Sequence, residues 1–513
     1  MLKRVLTAAI ALTLTPPLWA HVAPTPPVHG RSVVTHHSVK VAGHDDRYTA
    51  RAGTLILRNA QGEPMAKVFY IAYTLDGVRN EADRPITFAY NGGPGFASAL
   101  VDFGGFGPRK IIWPHPGPGS SRAMAPPYRI VANPDTILPA TDLVFIDAVG
   151  TGYSRIIGVG KPKDFYGIHA DAATFAEFIA DYLNHFGRWD SPKFLLGESY
   201  GTTRSAVLGQ LLVAKGIYLN GIILCSTVLD FPTINFALGN DLPYELYLPS
   251  YAAVAWYHNR IHPQPSSLPA FVHAAEQFAA GPYAHALFEG ARLGTAMRLK
   301  VARSLSRFTG IPVRIWLRAN LRMTLPVFMR RVLGSAHATT GRYDARFSVP
   351  ELQPLLPVGG RSAAGATTTA IWGALTATFE SYVTRHLGFH TTHVYKQDSN
   401  TVFRDWNWKY YPPIHDLDAG VGDIGYDNVA PALARAMTND PALELMANNG
   451  YFDLATPFYA THYTLMHMGL PARFLSHIHF EYYPTGHMLY LNPQAMPEIA
   501  AQMDHFIDQA AGR

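Results

Sequence analysis

Apolar and polar positions follow two different patterns along the first 230 residues, one typical of helices and one typical of buried strands. Segment 170–186 places apolar residues at intervals of three and four, which predicts an amphipathic helix. Short apolar runs surround this segment, and such runs are typical of strands buried in a sheet. The predicted strands of this part are 54–57, 68–73, 86–90, 143–146, 193–196 and 219–224. Strands that alternate with helices predict a mostly parallel sheet with crossover helices.

The alternation of predicted strands and helices stops beyond residue 230 and resumes near residue 441. Residues 231–440 are rich in Pro, Tyr and His and mix short helical stretches with irregular ones. After them come two more predicted strands, each followed by a helix; these elements are 442–447, 458–468, 480–483 and 496–511. We predict an α/β catalytic domain formed by residues 21–230 and 441–513. Residues 231–440 are then a large, mainly helical cap insertion.

The N-terminal segment has the pattern of a signal peptide. Two basic residues precede a mainly apolar run at 5–14, and a Pro-containing segment ends at Ala20. Ten residues are too few to cross a bilayer as a helix, so we predict a signal peptide over 1–20 and cleavage after Ala20. This predicts a secreted or periplasmic protein with no stable membrane span after cleavage. Residues 21–32, rich in Pro and His, are predicted to form an extended leader.

Composition and charge narrow the class further. The chain of 513 residues is 48% hydrophobic and 15% charged, as a globular protein is. The net charge is only +5, and no run of Lys or Arg is interleaved with aromatic residues, so we expect no nucleic-acid partner. Cys225 is the only cysteine, which excludes an intrachain disulfide. It lies in an apolar strand, where we expect a small buried side chain.

The pentapeptide Gly-Glu-Ser-Tyr-Gly at 197–201 is the first candidate for chemistry. It follows the predicted strand 193–196 and precedes a predicted helix over 200–215. A nucleophile elbow has this context, because a tight strand-to-helix turn projects the serine from the carboxyl edge of the sheet. The N-terminus of the following helix favours a developing negative charge there. Ser199 is therefore the predicted nucleophile.

An acid and a histidine follow Ser199 in the order that this fold requires. Asp453 and His487 each come shortly after one of the last two predicted strands. His487 would take the proton of Ser199, and Asp453 would fix its tautomer and stabilise the imidazolium. Asp427 and Asp440 are the nearest competing acids, but they precede the strand and would lie at the wrong edge of the sheet.

The loop after strand 86–90 reads Asn-Gly-Gly-Pro-Gly and ends at Gly95. Paired glycines allow a backbone to approach a substrate closely. An oxyanion hole needs two backbone N–H donors, and this fold takes one from such a loop and one from the residue after the nucleophile. The predicted donors are Gly93 and Tyr200.

Four motifs in the same order are similar to those of the serine carboxypeptidase family. The resemblance covers residues 88–224 closely and returns around residues 449–492, whereas the predicted cap has no counterpart. The motifs are Asn-Gly-Gly-Pro-Gly at 91–95, Asp-Ala-Val-Gly-Thr-Gly-Tyr-Ser at 147–154, the elbow at 197–201, and Gly-His-Met at 486–488.

This resemblance implies an α/β-hydrolase fold and a serine-type carboxypeptidase that removes C-terminal residues from peptides or small proteins through an acyl-enzyme. It also implies that Asn91 and Glu198 bind the terminal carboxylate of the substrate. Glu198 must then be protonated, and we expect faster cleavage below neutral pH. The family has a second Glu where this chain has Gly105, and a loop cysteine where it has Phe96.

Three other interpretations remain open from the sequence. A prolyl aminopeptidase or an esterase would use the same serine, acid and histidine, and an inactive hydrolase scaffold would only bind ligands. His477, His479 and Glu481 would share one face of a strand and suggest a zinc site. We expect neither a metal nor another cofactor, because the predicted chemistry needs none.

Overall fold

The computed structural model describes residues 30–114, 116, 124–334, 338–350, 365–410 and 427–513. The predicted signal peptide, and the predicted leader as far as residue 29, lie outside the described residues. The strands are β1 Ser32–Val41, β2 His44–Arg58, β3 Pro64–Leu75, β4 Ile86–Tyr90, β5 Arg109–Ile111, β6 Ile130–Ala132, β7 Asp142–Ile146, β8 Arg155–Ile156, β9 Lys193–Glu198, β10 Gly221–Cys225, β11 Ala338–Thr340, β12 Ser348–Pro350, β13 Glu444–Gly450 and β14 Ile478–Tyr483.

The helices are spread along the whole described chain. They are α1 Ala99–Val101, α2 Ile168–Phe186, α3 Tyr200–Ala214, α4 Leu242–Tyr257, α5 Leu268–Phe278, α6 Ala284–Glu289, α7 Thr295–Thr309, α8 Val313–Arg318, α9 Leu325–Arg331, α10 Gly365–Ser381, α11 Asn400–Arg404, α12 Ala430–Asn439, α13 Phe458–Met466 and α14 Met496–Ala510. None of the helices in the described part of the chain combines the length and hydrophobicity that spanning a bilayer requires.

One large sheet organises the molecule. Its strand order is β1-β2-β3-β7-β4-β9-β10-β13-β14, and β8 pairs with β3 at the side. The strands from β7 to β14 in this order run parallel, whereas β1, β2 and β3 pair antiparallel. The chain adds β7 on one side of β4 and then β9 on the other. The order therefore reverses at β4, and such a reversal opens a crevice at the carboxyl ends of the strands.

The two faces of the sheet are covered by different helices. Along β9, Phe194 and Leu196 face one core and Leu195 faces the other, as the two-residue period of a strand requires. Helices α2, α3 and α12 contribute to the core of Leu195, and α10 and α14 contribute to the opposite core. The mostly parallel sheet between two helical layers confirms the predicted α/β-hydrolase fold.

Within the range 231–440, the described helices fall into two groups. Helices α4 to α9 share a hydrophobic core of their own, in which Tyr251 stacks on Phe328 with the ring centroids 3.8 Å apart. Phe452 and Phe458, which follow β13, join this core and attach it to the sheet domain. Helices α10, α11 and α12 instead pack into the two cores of the sheet.

The strands around the site match their predictions to within one to three residues, but β1 was not predicted. Only the edge of β1 towards β2 is paired, and its side chains alternate between exposed and partly covered positions. Its sequence, Ser-Val-Val-Thr-His-His-Ser-Val-Lys-Val, is correspondingly mixed and carries no long apolar signal. β1 begins at Ser32, so the last residue of the predicted leader 21–32 lies in a strand.

Candidate active site

Ser199 lies at the turn between β9 and α3, at the carboxyl edge of the sheet. Its backbone has φ 61° and ψ −129°, a conformation that residues other than glycine rarely adopt. Strain of this kind costs roughly 1–3 kcal/mol and persists only where the surroundings enforce it. The Ser199 N–H donates to the carbonyl of Cys225, at the end of the neighbouring strand, over 2.9 Å. Residue 199 is thus held in the conformation of a nucleophile elbow.

His487 and Asp453 meet beside this turn. Nδ1 of His487 is 2.8 Å from Oδ2 of Asp453, and both side chains are buried. The second oxygen of Asp453, Oδ1, accepts from the backbone N–H groups of Ala455 at 2.7 Å and Thr456 at 3.0 Å. The Thr456 hydroxyl donates to Asp453 Oδ2 over 2.7 Å. Both oxygens of the carboxylate therefore accept hydrogen bonds, and His487 lines the same cavity as Ser199.

The competing acid Asp440 lies at the other edge of the sheet. Its Oδ2 accepts from the N–H of Leu219, just before β10 begins, over 3.1 Å. The carboxyl end of β10, by contrast, carries the residues that contact the elbow. Asp440 and Ser199 therefore lie at opposite edges of the sheet, as the predicted strand direction required.

The loop after β4 lies directly against the elbow. A Cβ atom placed on Gly92 would lie 2.4 Å from the backbone nitrogen of Tyr200, closer than real contacts allow. Only glycine fits at this approach, which brings the backbone of Gly93 to the cavity that Ser199 and His487 line. Tyr200 is the first residue of α3, so its N–H is not used by the helix. Both predicted oxyanion donors thus belong to segments in contact at the nucleophile.

Asn91 and Glu198 are also in contact. The Asn91 amide, Nδ2, donates to Oε1 of Glu198 over 2.6 Å, and both side chains are buried. Oδ1 of Asn91 accepts from the N–H of Val101 over 3.0 Å, which fixes the orientation of the amide. Oε2 of Glu198 is buried and has no hydrogen-bond partner among the described residues. Buried carboxyl oxygens without partners are rare, and in a cavity they mark a place for a ligand.

Burial and charge shift the pKa values of Glu198 and His487, which line the cavity. Burial raises the pKa of Glu198 to about 7, although His487 and the hydrogen bond from Asn91 lower it. Burial alone would lower the pKa of His487, but the carboxylates of Asp453 and Glu198 outweigh it and the pKa is raised. Because Glu198 and His487 influence one another, protonation of Glu198 reduces the charge that favours the imidazolium. A protonated Glu198 is therefore compatible with a neutral, basic His487.

Two buried residues to which the sequence assigned no role of their own hold these loops in place. The Arg204 guanidinium, on α3, donates to the carbonyl of Asn91 over 2.7 Å and to Asp171 over 2.6 Å. Asp147, the first residue of the predicted Gly-Thr-Gly motif, accepts from the N–H of Ser98 and the hydroxyl of Tyr395. The motif thus anchors the loop after β4. Its buried Asp147 is the residue from which this role could have been predicted.

Tyr490 is a contact of Glu198 that the sequence analysis missed. It lies three residues after His487, is buried, and donates its hydroxyl to Oε1 of Glu198 over 3.3 Å. A Cβ atom on Gly105 would lie 2.6 Å from Cβ of Tyr490, and one on Gly104 would lie 2.4 Å from its ring. The resemblance predicts a second Glu at the position of Gly105. Tyr490 leaves no room for a side chain there.

A single cavity connects these groups. Its polar end is formed by Asn91, Glu198, Ser199 and His487, and the remaining lining residues are Gly92, Gly93, Phe96, Leu100, Tyr343, Thr368, Ile371, Trp372 and Met488. Asp453 and Tyr200 lie directly behind His487 and Ser199. Every residue predicted from the sequence to act at this site is thus in the lining or adjacent to it.

The three residues of the alternative zinc site do not share one strand face. His477 precedes β14 and lies in a short 3-10 helix, so it does not share a strand face with His479 and Glu481. Both histidines instead lie 3.1 Å from oxygens of Glu444. Throughout the described ranges, no three His, Cys, Asp or Glu residues are arranged to hold a metal ion. Burial raises the pKa of the Cys225 thiol, which suits a structural side chain.

The fold is that of the α/β-hydrolases, and Ser199, His487 and Asp453 meet at the carboxyl edge of its sheet. This combination is typical of serine hydrolases. The family model of the serine carboxypeptidases matches residues 51–235, which include the loop after β4, the Gly-Thr-Gly motif and the elbow. The fold and this match identify a serine hydrolase, and residues 51–235 are similar to the serine carboxypeptidase family, as the motifs suggested. No curated protein matches the chain.

A solved structure shares the fold of this chain. The chain is similar to Kex1, a prohormone-processing carboxypeptidase from Saccharomyces cerevisiae, with a TM-score of 0.53 and 14% identity over 90% of this chain and 91% of that one. It is less similar to proline iminopeptidase from Mycobacterium smegmatis, with a TM-score of 0.35 and 14% identity over 90% and 98% of the two chains. The first similarity shows the fold alone, and the second is too low to add to it.

Proposed function

We propose that the protein is a serine carboxypeptidase that uses Ser199 as its nucleophile and His487 as its general base. Ser199 Oγ attacks the carbonyl carbon of the last peptide bond while its proton passes to Nε2 of His487. Asp453 holds the tautomer of His487 that can accept this proton. The N–H groups of Gly93 and Tyr200 stabilise the negative charge that develops on the carbonyl oxygen.

Collapse of this intermediate completes the first half of the reaction. His487 gives its proton to the nitrogen of the departing C-terminal residue, and the rest of the peptide stays bound to Ser199 as an ester. Water then attacks the ester with the same base, and the shortened peptide leaves with Ser199 restored. Neither half needs a metal or an organic cofactor.

The observation that favours an exopeptidase is the buried pair of Asn91 and Glu198 beside the nucleophile. In its protonated form Glu198 can donate a hydrogen bond through Oε2 to one oxygen of a substrate carboxylate. The raised pKa of Glu198, about 7, allows this form to exist at mildly acidic and neutral pH. A peptide whose terminal carboxylate lies at this pair presents its last peptide bond to Ser199.

We also propose that the enzyme acts outside the cytoplasm, in the periplasm or after secretion. The basic and apolar segments of residues 1–20 support this location, because together they have the pattern of a signal peptide. Its substrates there would be peptides or small proteins with free C-termini.

The test compares two substrates that differ only at the C-terminus. We expect an N-blocked dipeptide with a free carboxylate to be cleaved with a kcat/KM at least about 100-fold above that of its C-terminal amide, because the charged carboxylate accepts a stronger hydrogen bond from protonated Glu198 than an amide oxygen does. The initial rate of release of the C-terminal residue measures both reactions. A small activated ester without a carboxylate reports on Ser199 independently.

Each alternative gives a different result in the same assay. Equal cleavage of acid and amide would contradict carboxylate recognition and favour an esterase or another serine hydrolase. Cleavage restricted to substrates with a free N-terminal proline would identify an aminopeptidase. No reaction with the peptides or the ester would indicate an inactive scaffold.

A further inference from the structure

Part of the lining of the cavity at Ser199 is an apolar wall. Phe96, from the loop after β4, and Trp372, from α10, pack edge to face with ring centroids 5.6 Å apart. Leu100 and Ile371 are buried beside them. Among the described residues that line the cavity, Glu198 and His487 are the only ionisable side chains apart from the Tyr343 phenol.

The chemistry of a C-terminal residue determines which part of the substrate faces this wall. Its carboxylate and the nitrogen of the scissile bond are attached to the same Cα atom. If the carboxylate lies at Asn91 and Glu198 and the nitrogen lies near Ser199 and His487, Cα lies between them. The side chain of that same residue must then enter the remainder of the cavity.

We propose that Phe96, Leu100, Ile371 and Trp372 receive the side chain of the C-terminal residue and select large apolar residues. This inference rests on the proposed function, because it needs the carboxylate at Glu198. A phenylalanine or leucine side chain exchanges water for apolar contacts in this pocket. A lysine or arginine side chain would lose hydration there without an anionic partner on the wall, and an aspartate would add a second negative group near Glu198.

The test measures kcat/KM for N-blocked dipeptides that differ only in the C-terminal residue. We expect Phe and Leu to exceed Lys by about 50-fold or more and Asp by at least as much. Trp372→Ala should lower kcat/KM for Phe about 10-fold and change that for Gly by no more than about twofold. Trp189→Ala is the matched control, since Trp189 is exposed and lies before β9 at the opposite edge of the sheet.

A second variant keeps the test valid if Trp372→Ala does not fold. Trp372→Glu places an anion in the pocket, and we expect the ratio of kcat/KM for Lys over Phe to rise at least about 10-fold. A wild-type preference for Lys or Arg, or equal cleavage of Phe and Lys, would overturn the pocket assignment. Failure to cleave any free-carboxylate peptide would instead overturn the proposed function.

A separate observation concerns how Glu198 is held. Both hydrogen bonds to its carboxyl group, from Asn91 and from Tyr490, end on Oε1. Oε2 is left without a partner among the described residues. The ring of Tyr490 is packed against Gly104 and Gly105, so its hydroxyl cannot move away from Glu198 without disturbing that contact.

We infer that Tyr490 is a positioning residue that keeps Oε2 of Glu198 directed at the substrate carboxylate. Tyr490 occupies the space that a side chain at Gly104 or Gly105 would need, and its hydroxyl reaches Glu198. This inference also depends on carboxylate recognition by Glu198, and its readout is the pH dependence of that recognition. The ionisable groups that act on Glu198 are His487, Tyr490, Asp453 and Cys225.

The sign of the pH effect follows from the hydrogen bonds. Binding a carboxylate requires protonated Glu198, so kcat/KM of the wild type should fall as pH rises through about 7. The Tyr490 hydroxyl donates to the charged form and lowers the pKa of Glu198. Tyr490→Phe removes this donor, so the alkaline limb should move to higher pH. Loss of positioning should also raise KM about 3- to 10-fold.

Controls separate this role from a general effect on folding. Tyr483→Phe removes another buried hydroxyl, which donates to Asn448 over 3.1 Å and does not contact Glu198, so the limb should stay in place. The alkaline limb for an ester substrate without a carboxylate should be the same in Tyr490→Phe and the wild type. An unmoved alkaline limb for peptides in Tyr490→Phe, with or without a loss of rate, would overturn the inference.

Discussion

Replacing Ser199 with alanine should lower kcat about 10⁴- to 10⁶-fold for every substrate that the enzyme cleaves. The change removes only Oγ, and alanine has to adopt the same backbone conformation as serine at φ 61°. The elbow, its hydrogen bond to Cys225 and the carboxylate site therefore remain. Steady-state kinetics with an N-blocked dipeptide gives the loss, and circular dichroism checks that the fold is retained.

Covalent labelling supplies the control for this variant. A fluorophosphonate probe should label the wild type once per chain and should not label Ser199→Ala. Ser476→Ala, which alters an exposed serine far along the chain, should label like the wild type. Labelling of Ser199→Ala at the wild-type rate would show that another residue is the nucleophile.

Asp453→Asn should reduce kcat/KM about 10⁴-fold, the second largest effect that we expect. Oδ1 of Asp453 accepts two backbone N–H groups, so the oxygen of an asparagine will occupy this position. The asparagine NH₂ group must then face Nδ1 of His487, where the aspartate oxygen was 2.8 Å away. Nδ1 becomes an acceptor and the proton moves to Nε2. This tautomer cannot accept the proton of Ser199.

The tautomer can be observed directly. Nitrogen-resolved NMR of the histidine should show protonation at Nδ1 in the wild type and at Nε2 in Asp453→Asn. Asp440→Asn is the matched control, because Asp440 binds the N–H of Leu219 at the other edge of the sheet; its kcat/KM should change no more than about threefold. A loss below about tenfold in Asp453→Asn would mean that another group orients His487.

The elements that carry the candidate site were accessible from the sequence because each has a local signal. The apolar run before Ser199 and the amphipathic helix at 170–186 correspond to β9 and α2. Strand ends in a parallel sheet lie at one edge, so residues that follow different strands could be expected to converge. This argument placed His487 and Asp453 near Ser199 with no knowledge of the packing.

Other features of the site depend on contacts between distant parts of the chain. Tyr490 and Glu198 are 292 positions apart, and nothing in the sequence around either residue specifies their hydrogen bond. Trp372 lies on α10, in a range that the sequence suggested only as cap, yet it packs against Phe96. Residues such as these have no periodic spacing relative to the nucleophile, so pattern analysis gives them no role.

The sequence by itself determined the fold class, the nucleophile elbow and the candidates for acid, base and oxyanion loop. Periodicity and turn residues are recognisable over a few positions. In a parallel sheet the strand ends lie at one edge, so residues that follow different strands come together there. Only the tertiary structure decided which residues surround Glu198 and which apolar residues line the cavity. Those choices depend on side-chain packing across the sheet and α10, where long-range contacts and burial, rather than local pattern, set the chemistry.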